Sequence, residues 1–403
     1  MKIVQINAVY EFSSTGRTTK ELHEFLIKQG IDSYVFCCNK HDSKNNIFKV
    51  GNRIDYIIHS FLSHLLGLQG FFSFFPTWKL VRHLKRIAPD VVHLRVLHSN
   101  CINLPMLLKF LGRYDIATVI TLHDCWYFTG HCCYFIDSQC DKWKSGCGNC
   151  PDIRNWNSSW FLDNSKYILK RKKELFSNIS NLTVVGVSDW VTNFIPHSIL
   201  KNAKNILRIY NWIDVDLFRP YHTDKLRSSM GLDGKFVVIS VAQIWSKAKG
   251  IDDIIAVARN NQEMVFLLIG HIENKHELPN NVIALGVVSK PQTLAEYYSM
   301  SDVFFNPSIR ETFGKVTAEA MACGTPVVAY NATATPELVK EGCGYVVEKH
   351  DIAHVTKILK KIKENSKYFY SDYCRNFVLR EFFSDKLCND YLEIYNTSLH
   401  CKN

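Results

Sequence analysis

The chain has 403 residues, 47% of them hydrophobic, which is enough for two ordinary domains that fold without disulfide or metal staples. Its formal net charge is +10; residues 1–190 contain 23 Lys and Arg against 15 Asp and Glu, and the remainder contains 25 against 23. The basic first half fits an anionic membrane surface or a phosphate-bearing substrate, whereas nucleic acid is disfavoured by the absence of an Arg-rich recognition helix, an aromatic RNA-binding signature or a basic tail.

The N-terminal segment MKIVQINAVY predicts a strand, because its apolar run is short and no small-residue cleavage site follows. We therefore expect no signal peptide and a cytoplasmic protein. The most apolar stretch, Ile57 to Phe75, is interrupted by His, Ser, Gly and Gln residues and is unsuited to spanning a membrane. It is typical of an amphipathic surface segment, and its aromatic run Phe71 to Phe75 favours peripheral contact with an anionic inner membrane surface or packing inside the domain.

Short β-rich runs alternate with helical patterns along most of the chain, which predicts parallel sheets with crossover helices. The runs are KIVQINAV, SYVFCC, VVHL, ATVITL, LTVVGVS, FVVISVA, MVFLLIG, VIALG, DVFFNPS and PVVAY. A turn-rich segment, RIYNWIDVDLFRPY, separates two series of strands. We expect an α/β protein with two Rossmann-like, doubly wound domains, residues 1–205 and 206–365, facing across a cleft, and C-terminal helices in residues 366–403 that pack back toward the first domain.

The first strand-to-helix connection, EFSSTGRTTKEL, contains Gly16 and Arg17 before a predicted helix. Backbone amides and a guanidinium group at this point suit an acceptor or a phosphate, and the alternative is a plain tight turn capped by Ser or Thr. The spacing is not GxGxxG, which disfavours nicotinamide cofactors. Further along, the buried strand in TLHDCWYFTG ends at His123, where the cleft is expected to open. A histidine there is either structural or in contact with a ligand.

The chain has 14 cysteines, and without an export signal we expect thiols or metal ligands rather than disulfides. In the loop 129–151, TGHCCYFIDSQCDKWKSGCGNCP, four of them have the spacing C-x7-C-x6-C-x2-C. This spacing predicts a structural zinc ion, because four thiolates leave no open position for catalysis. The alternative is a set of free thiols packed as small hydrophobic groups. The predicted ligands are Cys132, Cys140, Cys147 and Cys150.

The strongest indication of a functional site is PSIRETFGKVTAEAMACGTPVVA, from Pro307 to Ala329, which follows a predicted strand and opens into a helix. Gly314 lies at the turn, where a backbone without Cβ can approach a diphosphate and the helix N-terminus favours negative charge. Glu311 and Glu319 flank the turn, and carboxylates accept paired hydrogen bonds from sugar hydroxyls. The alternative is two solvated glutamates on a helix surface.

The block ETFGKVTAEAMACGTPVV resembles the signature of the family 4 retaining glycosyltransferases, which have the GT-B fold. The resemblance extends to SVAQIWSKAKGIDDII, IYNWIDVDLF and PELVKEGCGYVV. It implies that Lys249 binds the donor diphosphate, that Gln243 and Trp212 stand where the family usually has Arg and Gly, and that His123 lies near the donor sugar. By the same resemblance the donor contacts are Glu311 for the sugar, Glu319 for the ribose, the main chain of Phe313, Gly314 and Lys315, and Glu337 near the nucleotide.

The cysteine-rich loop is similar to that of a subset of this family from surface-polysaccharide, colanic-acid-type pathways, and this similarity favours Cys132 over Cys133 as a ligand. The resemblance implies a retaining glycosyltransferase that moves a sugar from a UDP- or GDP-sugar to a glycan or lipid-linked glycan. Lys249 and the helix start at Gly314 would neutralise the departing phosphate, so that no catalytic metal is needed. The one Asp-x-Asp, Asp214 to Asp216, lies in the interdomain segment and is interpreted as linker chemistry.

Two other functions stay open on the sequence alone. One is a zinc-knuckle protein that binds nucleic acid or membrane without transferase activity, which a steep salt dependence would reveal. The other is a GT-B epimerase or phosphorylase, although no lysine motif for pyridoxal is present.

Overall fold

A computed structural model of the protein describes residues 1–155, 158–272 and 277–400. The chain divides into two compact units: Met1–Tyr210 with the described chain from Cys388 onward, and Asn211–Leu387. The boundary expected near residue 205 therefore falls a few residues early, inside the strand Asn205–Arg208. The C-terminal segment expected from residue 366 is divided between the two units.

The first unit contains a parallel sheet, seven-stranded within the described residues, in the order β3-β2-β1-β4-β5-β6-β7. Its strands are β1 Lys2–Ile6, β2 Asp32–Cys37, β3 Ile47–Lys49, β4 Val91–Leu94, β5 Ala117–Leu122, β6 Leu182–Gly186 and β7 Asn205–Arg208. The sheet order reverses at β1, where Ile3 pairs with Ser33 of β2 on one side and with Val91 of β4 on the other. Every residue of β4, β5 and β6 is buried, as expected for strands covered on both faces.

The helices of the first unit connect these strands as crossovers. They are α1 Ser13–Lys28, α2 Arg53–Leu66, α3 Phe74–Ile87, α4 Leu104–Arg113, α5 Lys142–Ser145, α6 Ser165–Phe176 and α7 Asp189–Thr192. The start of α2 is fixed by a capping box in which Asn52 and Asp55 satisfy each other's backbone amides. No helix among the described residues combines the length and apolar character needed to cross a bilayer.

The second unit contains a six-stranded parallel sheet within the described residues, in the order β10-β9-β8-β11-β12-β13. Its strands are β8 Phe236–Trp245, β9 Met264–Ile272, β10 Val282–Gly286, β11 Val303–Asn306, β12 Val327–Tyr330 and β13 Gly344–Val347. Its helices are α8 Asp224–Ser229, α9 Ile251–Asn260, α10 Pro291–Met300, α11 Lys315–Ala322, α12 Thr335–Leu338, α13 Ile352–Asn365 and α14 Tyr368–Glu381. Two Rossmann-like parallel sheets are thus confirmed.

The last helix, α15 Ser384–His400, contributes two tyrosines to the core of the first unit. His93 of β4 hydrogen bonds through Nδ1 to the Tyr395 hydroxyl and through Nε2 to Thr121 Oγ1, each over 2.7 Å. Thr121 in turn contacts the Tyr391 hydroxyl at 2.8 Å. All four side chains are buried, so this network gives each polar group a partner inside the apolar core.

Candidate active site

The loop after β11 contains the predicted glutamate and the turn glycine. Asn306, the last residue of β11, shapes this loop: its Nδ2 donates to Thr317 Oγ1 over 2.9 Å and its Oδ1 accepts from the Ser308 amide over 3.1 Å. The loop ends at Gly314, where φ is +91°, and α11 begins at the next residue. A Cβ at Gly314 would meet its nearest atom, Thr317 Oγ1, at 3.6 Å, so the backbone angle and not crowding requires glycine.

Lys249 lies in a 3-10 turn, Lys247–Lys249, that packs against this loop. The contact depends on Gly250, because a Cβ there would lie 2.6 Å from Pro307. The Ile309 amide also donates a hydrogen bond to the Ala248 carbonyl over 3.0 Å. Two turns that are far apart in sequence are therefore held together by their backbones.

Lys249 and Glu311 form an ion pair between these two turns. The Lys249 Nζ lies 2.6 Å from Glu311 Oε1 and donates more weakly to the Arg310 carbonyl at 3.4 Å. The two side chains are 33% and 16% exposed, so both are accessible to a solute. An ammonium group, a carboxylate and a helix N-terminus thus occur within one short stretch of structure, a combination that suits a ligand with phosphate and hydroxyl groups.

Phe313 and Glu319 are both almost completely buried, each 2% exposed. The Phe313 ring packs edge-on against Phe382, with ring centroids 5.3 Å apart, so the ring belongs to the apolar core of the second unit. Glu319 lies on α11 among buried residues. Glu311 precedes the helix and is paired, so neither glutamate is the solvated residue on a helix surface that the sequence left as an alternative.

The remaining predicted donor residues differ in exposure. Lys315, half-buried, is the first residue of α11, and Gln243 is exposed near the end of β8. Glu337 is half-buried in α12. The segment before α12 is tied to Glu311, whose amide donates to Thr333 Oγ1 over 2.9 Å and whose carbonyl accepts from the Ala334 amide over 3.2 Å.

His123 follows β5 in the first unit and is 9% exposed. Its Nε2 lies 3.2 Å from Nη2 of Arg95, which also donates to Thr18 Oγ1 over 2.8 Å. A guanidinium group has no acceptor, so His123 Nε2 accepts this hydrogen bond and the ring proton is on Nδ1. Arg95 was not identified from the sequence, although a charged residue directly after a buried strand was a usable signal.

The expected position of Gly16 and Arg17 before a helix is wrong. Helix α1 begins at Ser13, so both residues lie within its first turns, where Gly16 is buried and Arg17 half-buried. The helix starts early because the chain turns sharply at Glu11 and Ser13, which both have positive φ angles. The Gly16 carbonyl accepts a hydrogen bond from the Glu11 amide over 2.9 Å, which closes this turn.

The four predicted zinc ligands line one small cavity together with His131 and Asp152. Four cysteine sulfurs are the ligand set of a structural zinc site. Among the described residues, three possible ligand atoms approach within 4.8 Å of one another only at His98, Asp124 and Cys133, so no three of the four sulfurs are that close. Burial raises the pKa of the Cys150 thiol to about 12, and it also raises the pKa values of Cys132 and Cys147.

Two further features of this region were not predicted. Lys172 of α6 is buried, and its Nζ donates to the carbonyls of Trp126 (2.5 Å) and Thr129 (3.0 Å), which fixes the segment before the cysteine-rich loop. Cys38 and Cys101, expected as thiols, form a disulfide with Cα atoms 6.5 Å apart. The two cysteines are 63 residues apart in sequence, so no local spacing indicates the pairing. Cys38 directly follows β2 and Cys101 lies in the segment after β4, and the carboxyl ends of these two strands, which flank β1, lie at the same edge of the sheet.

Comparison with known proteins gives matches over nearly the whole chain. The Glycosyltransferase Family 4 profile matches residues 15–217, and the profile Glycosyl transferases group 1 matches residues 223–377. A protein of Escherichia coli (strain K12), described as a colanic acid biosynthesis glycosyl transferase, WcaC, is 23% identical over 389 residues, covering 89% of this chain and 90% of that protein.

Two solved structures share the fold at low sequence identity. Sucrose-phosphate synthase from Thermosynechococcus elongatus superimposes with a TM-score of 0.73 at 17% identity, over 100% of both chains. HepE of Anabaena in complex with UDP superimposes with a TM-score of 0.67 at 18% identity, over 98% of this chain and 100% of that one.

Proposed function

This chain belongs to Glycosyltransferase Family 4, and from that membership we propose that it is a retaining enzyme that transfers a sugar from a nucleotide-diphosphate donor to a glycan or lipid-linked glycan acceptor in surface polysaccharide biosynthesis. It is a glycosyltransferase with the GT-B architecture of two Rossmann-like units. The alternative of a zinc-knuckle binding protein without transferase activity finds no support in these matches.

The observation that supports a donor site best is the Lys249–Glu311 pair near the N-terminus of α11. We propose that the donor diphosphate binds at this N-terminus and takes Lys249 as its counter-ion, because cations and helix amides both stabilise phosphate. Glu311 then accepts hydrogen bonds from sugar hydroxyls. The negative charge that develops on the departing diphosphate is stabilised by groups that are already in place.

Replacement of Lys249 by Met tests this assignment, with Lys247→Met as the matched control from the same turn. Removal of one donor that stabilises transition-state charge lowers kcat by about 10²–10³-fold, and we expect this loss for Lys249→Met. Lys247 is exposed, so its replacement should leave turnover within a few fold of the wild type. Because the ion pair is partly solvated, the loss of unfolding free energy in Lys249→Met should stay below about 1 kcal/mol. Equal turnover of the two variants would show that Lys249 is not the counter-ion of the donor diphosphate.

For the reaction itself we propose retention without a catalytic metal. The acceptor oxygen attacks the anomeric carbon from the face that the diphosphate leaves, the bond to the phosphate oxygen breaks, and the departing phosphate takes the acceptor proton. NMR of the product should therefore show the anomeric configuration of the donor. Turnover should not require added Mg²⁺ or Mn²⁺, and an inverted product or a strict requirement for either ion contradicts this mechanism.

The donor nucleotide is proposed to be UDP or GDP. HepE, which shares the fold, was solved with UDP. Thermal unfolding with UDP-, GDP- and dTDP-sugars distinguishes the base, since a ligand that binds only the folded state raises its stability with concentration. A midpoint that none of these sugars shifts would count against a nucleotide-sugar donor.

His123 is proposed to contact the donor sugar, as the resemblance to the family implies. Its Nε2 already accepts from Arg95, which holds the ring in one orientation. We expect His123→Ala to lower turnover while His197→Ala, an exposed histidine of the same unit, does not. If the two variants turn over equally, His123 is a structural residue.

We propose that an apolar surface on α2 and α3 contacts the membrane that holds a lipid-linked acceptor. Large apolar side chains on α2 are more than half exposed, and Phe74, Phe75 and Trp78 at the start of α3 are also exposed. Cations accompany them: Lys79 lies 4.4 Å from the Phe75 ring centroid and Arg82 lies 4.8 Å from that of Trp78. Exposed rings beside cations are typical of a protein surface that binds anionic lipid. The exposed α2 residues are Ile54, Ile57, Ile58 and Phe61.

Flotation with phosphatidylglycerol-containing vesicles tests this surface. The double variant Phe74→Ser, Phe75→Ser should lose association, whereas Phe369→Ser, which removes an equally exposed ring of the second unit, should retain it. Wild-type protein that does not float with anionic vesicles, or a double variant that floats as well as the wild type, would exclude the proposal.

We propose that Cys132, Cys140, Cys147 and Cys150 hold one structural zinc ion, because all four line the same cavity. Such an ion would fix the loop and supply no catalytic step, since four thiolates fill its coordination sphere. We expect Cys147→Ser to lose one equivalent of zinc by elemental analysis and Cys323→Ser, a buried thiol of the second unit, to lose none. Equal zinc content in the two variants would leave the four residues as packed thiols.

A further inference from the structure

Three side chains from separate segments of the first unit converge outside the four-cysteine cavity. His98 lies after β4, Asp124 follows β5, and Cys133 lies in the cysteine-rich loop. One ligand atom from each, a ring nitrogen, a carboxylate oxygen and a sulfur, lies within 4.8 Å of the other two. The His98 Nε2 and Asp124 Oδ2 are 2.7 Å apart. The carboxyl ends of adjacent parallel strands β4 and β5 create this convergence, and ligands of such sheets bind at this edge.

Each of the three residues is held in place by a contact of its own. The second carboxylate oxygen of Asp124, Oδ1, accepts from the Trp126 amide over 2.8 Å. The His98 carbonyl accepts from Gln69 Nε2 over 2.6 Å, and the Cys133 carbonyl accepts from the Cys125 amide over 2.9 Å. The bond to Asp124 Oδ1 orients a ligand side chain, and such supporting bonds raise metal affinity. The other two bonds fix the backbone that carries His98 and Cys133. The cluster is therefore arranged before any ion binds.

The donor set points to a particular class of ion. A thiolate excludes Mg²⁺ and Ca²⁺, which take oxygen ligands, and one imidazole, one carboxylate and one thiolate together suit Zn²⁺. Cys133 is 3% exposed, whereas the side chains of His98 and Asp124 are 24% and 14% exposed, so the cluster is closed on the sulfur side and open to solvent on the other. Three protein ligands with an open side are the arrangement of zinc sites that keep an exchangeable position.

We propose that His98, Asp124 and Cys133 bind a second zinc ion, distinct from that of the four cysteines, whose fourth position is open to water or to an oxygen of a ligand. Binding replaces the proton shared by His98 and Asp124 and releases the proton of the Cys133 thiol. This site is independent of the proposed donor chemistry, which uses Lys249 and the start of α11 in the second unit. A negative result for this zinc site would therefore leave the proposed transferase function unaffected, and the reverse also holds.

Zinc content and cobalt spectra of the full-length chain test this site. Zinc-loaded His98→Ala and Asp124→Asn should each hold one equivalent less than the wild type, and His197→Ala should hold the wild-type amount. In a Cys147→Ser background, Co²⁺ should still give a sulfur-to-cobalt charge-transfer band, and adding Cys133→Ser should abolish it. Because His98 and Asp124 are partly exposed, their variants should keep the wild-type unfolding midpoint within a few degrees.

The outcomes separate the two zinc sites. Loss of an equivalent in His98→Ala supports the present site whether or not Cys147→Ser also loses one. Wild-type zinc content in both His98→Ala and Asp124→Asn would overturn it and leave a hydrogen-bonded His–Asp pair beside a thiol. Where Cys147→Ser has lost its own equivalent of metal, a charge-transfer band that survives the added Cys133→Ser would overturn it equally.

Discussion

A chain needs glycine at a position either because φ is positive there or because a side chain would clash with a neighbour, and substitution of Gly314 by Ala tests the first reason alone. At Gly314 φ is +91°, but an added Cβ would meet no atom closer than 3.6 Å, so the cost is that of the left-handed backbone alone, about 1–2 kcal/mol. Gly250 has φ +76° and its added Cβ would lie 2.6 Å from Pro307. Overpacking adds about 1–3 kcal/mol to the backbone term there, for a total of about 2–5 kcal/mol.

Gly234 is the matched control, because φ is +68° and an added Cβ would meet nothing within 4 Å. In urea unfolding, Gly314→Ala and Gly234→Ala should therefore have similar free energies of unfolding, and that of Gly250→Ala should be clearly lower. Donor binding should weaken at least about tenfold in Gly314→Ala, which corresponds to 1.4 kcal/mol, and stay unchanged in Gly234→Ala. A Gly314→Ala variant that is as unstable as Gly250→Ala, or that binds the donor like the wild type, would refute the role given to this turn.

Burial lowers the pKa of His59 to about 4, so between pH 6.5 and 4 the folded state binds fewer protons than the unfolded state. As the pH is lowered through this range, the free energy of unfolding should fall by about 3 kcal/mol. Denaturant unfolding of His59→Gln should show a flatter dependence on pH. Tyr395→Phe removes the hydroxyl 2.7 Å from His93 Nδ1 and should cost about 1 kcal/mol in thermal unfolding. Gly130→Ala would place a Cβ 2.1 Å from the Ser165 carbonyl oxygen and should cost more than about 3 kcal/mol, measured in the same way.

The strands predicted from the sequence are those whose burial leaves a strong pattern. Runs such as ATVITL and LTVVGVS are buried along their whole length in β5 and β6, and continuous apolar β-rich segments are readable without a structure. The strands β3, β7 and β13 do not coincide with any of the β-rich runs of the sequence. Strands β3 and β13 have only three and four residues, and β7 is exposed at most of its positions. All three are edge strands, which form by pairing with a neighbouring strand and have no strong apolar pattern of their own.

Residues of the candidate site can be predicted from the sequence where the backbone requires one residue type. They cannot be predicted where the site depends on segments that are distant in sequence. The positive φ angle at residue 314 favours glycine, and a glycine in a turn before a predicted helix is visible in the sequence. The approach of His98, Asp124 and Cys133 depends on the order of β4 and β5 and on the path of a long loop, and no local spacing encodes it. Arg95 is similar, because only the folded sheet brings it to His123.

If the donor binds as proposed, the Lys249–Glu311 ion pair couples recognition of its diphosphate to recognition of its sugar. Without a ligand the ammonium group is 2.6 Å from the carboxylate, so each neutralises the other. A diphosphate that draws Lys249 away leaves Glu311 without its cation, and a carboxylate in that position is stabilised again only by new hydrogen-bond donors. The hydroxyls of the transferred sugar supply such donors at this position, and a nucleoside diphosphate lacks that sugar. The enzyme should therefore bind the intact nucleotide sugar more tightly than the free nucleotide, and Glu311→Gln should reduce that preference.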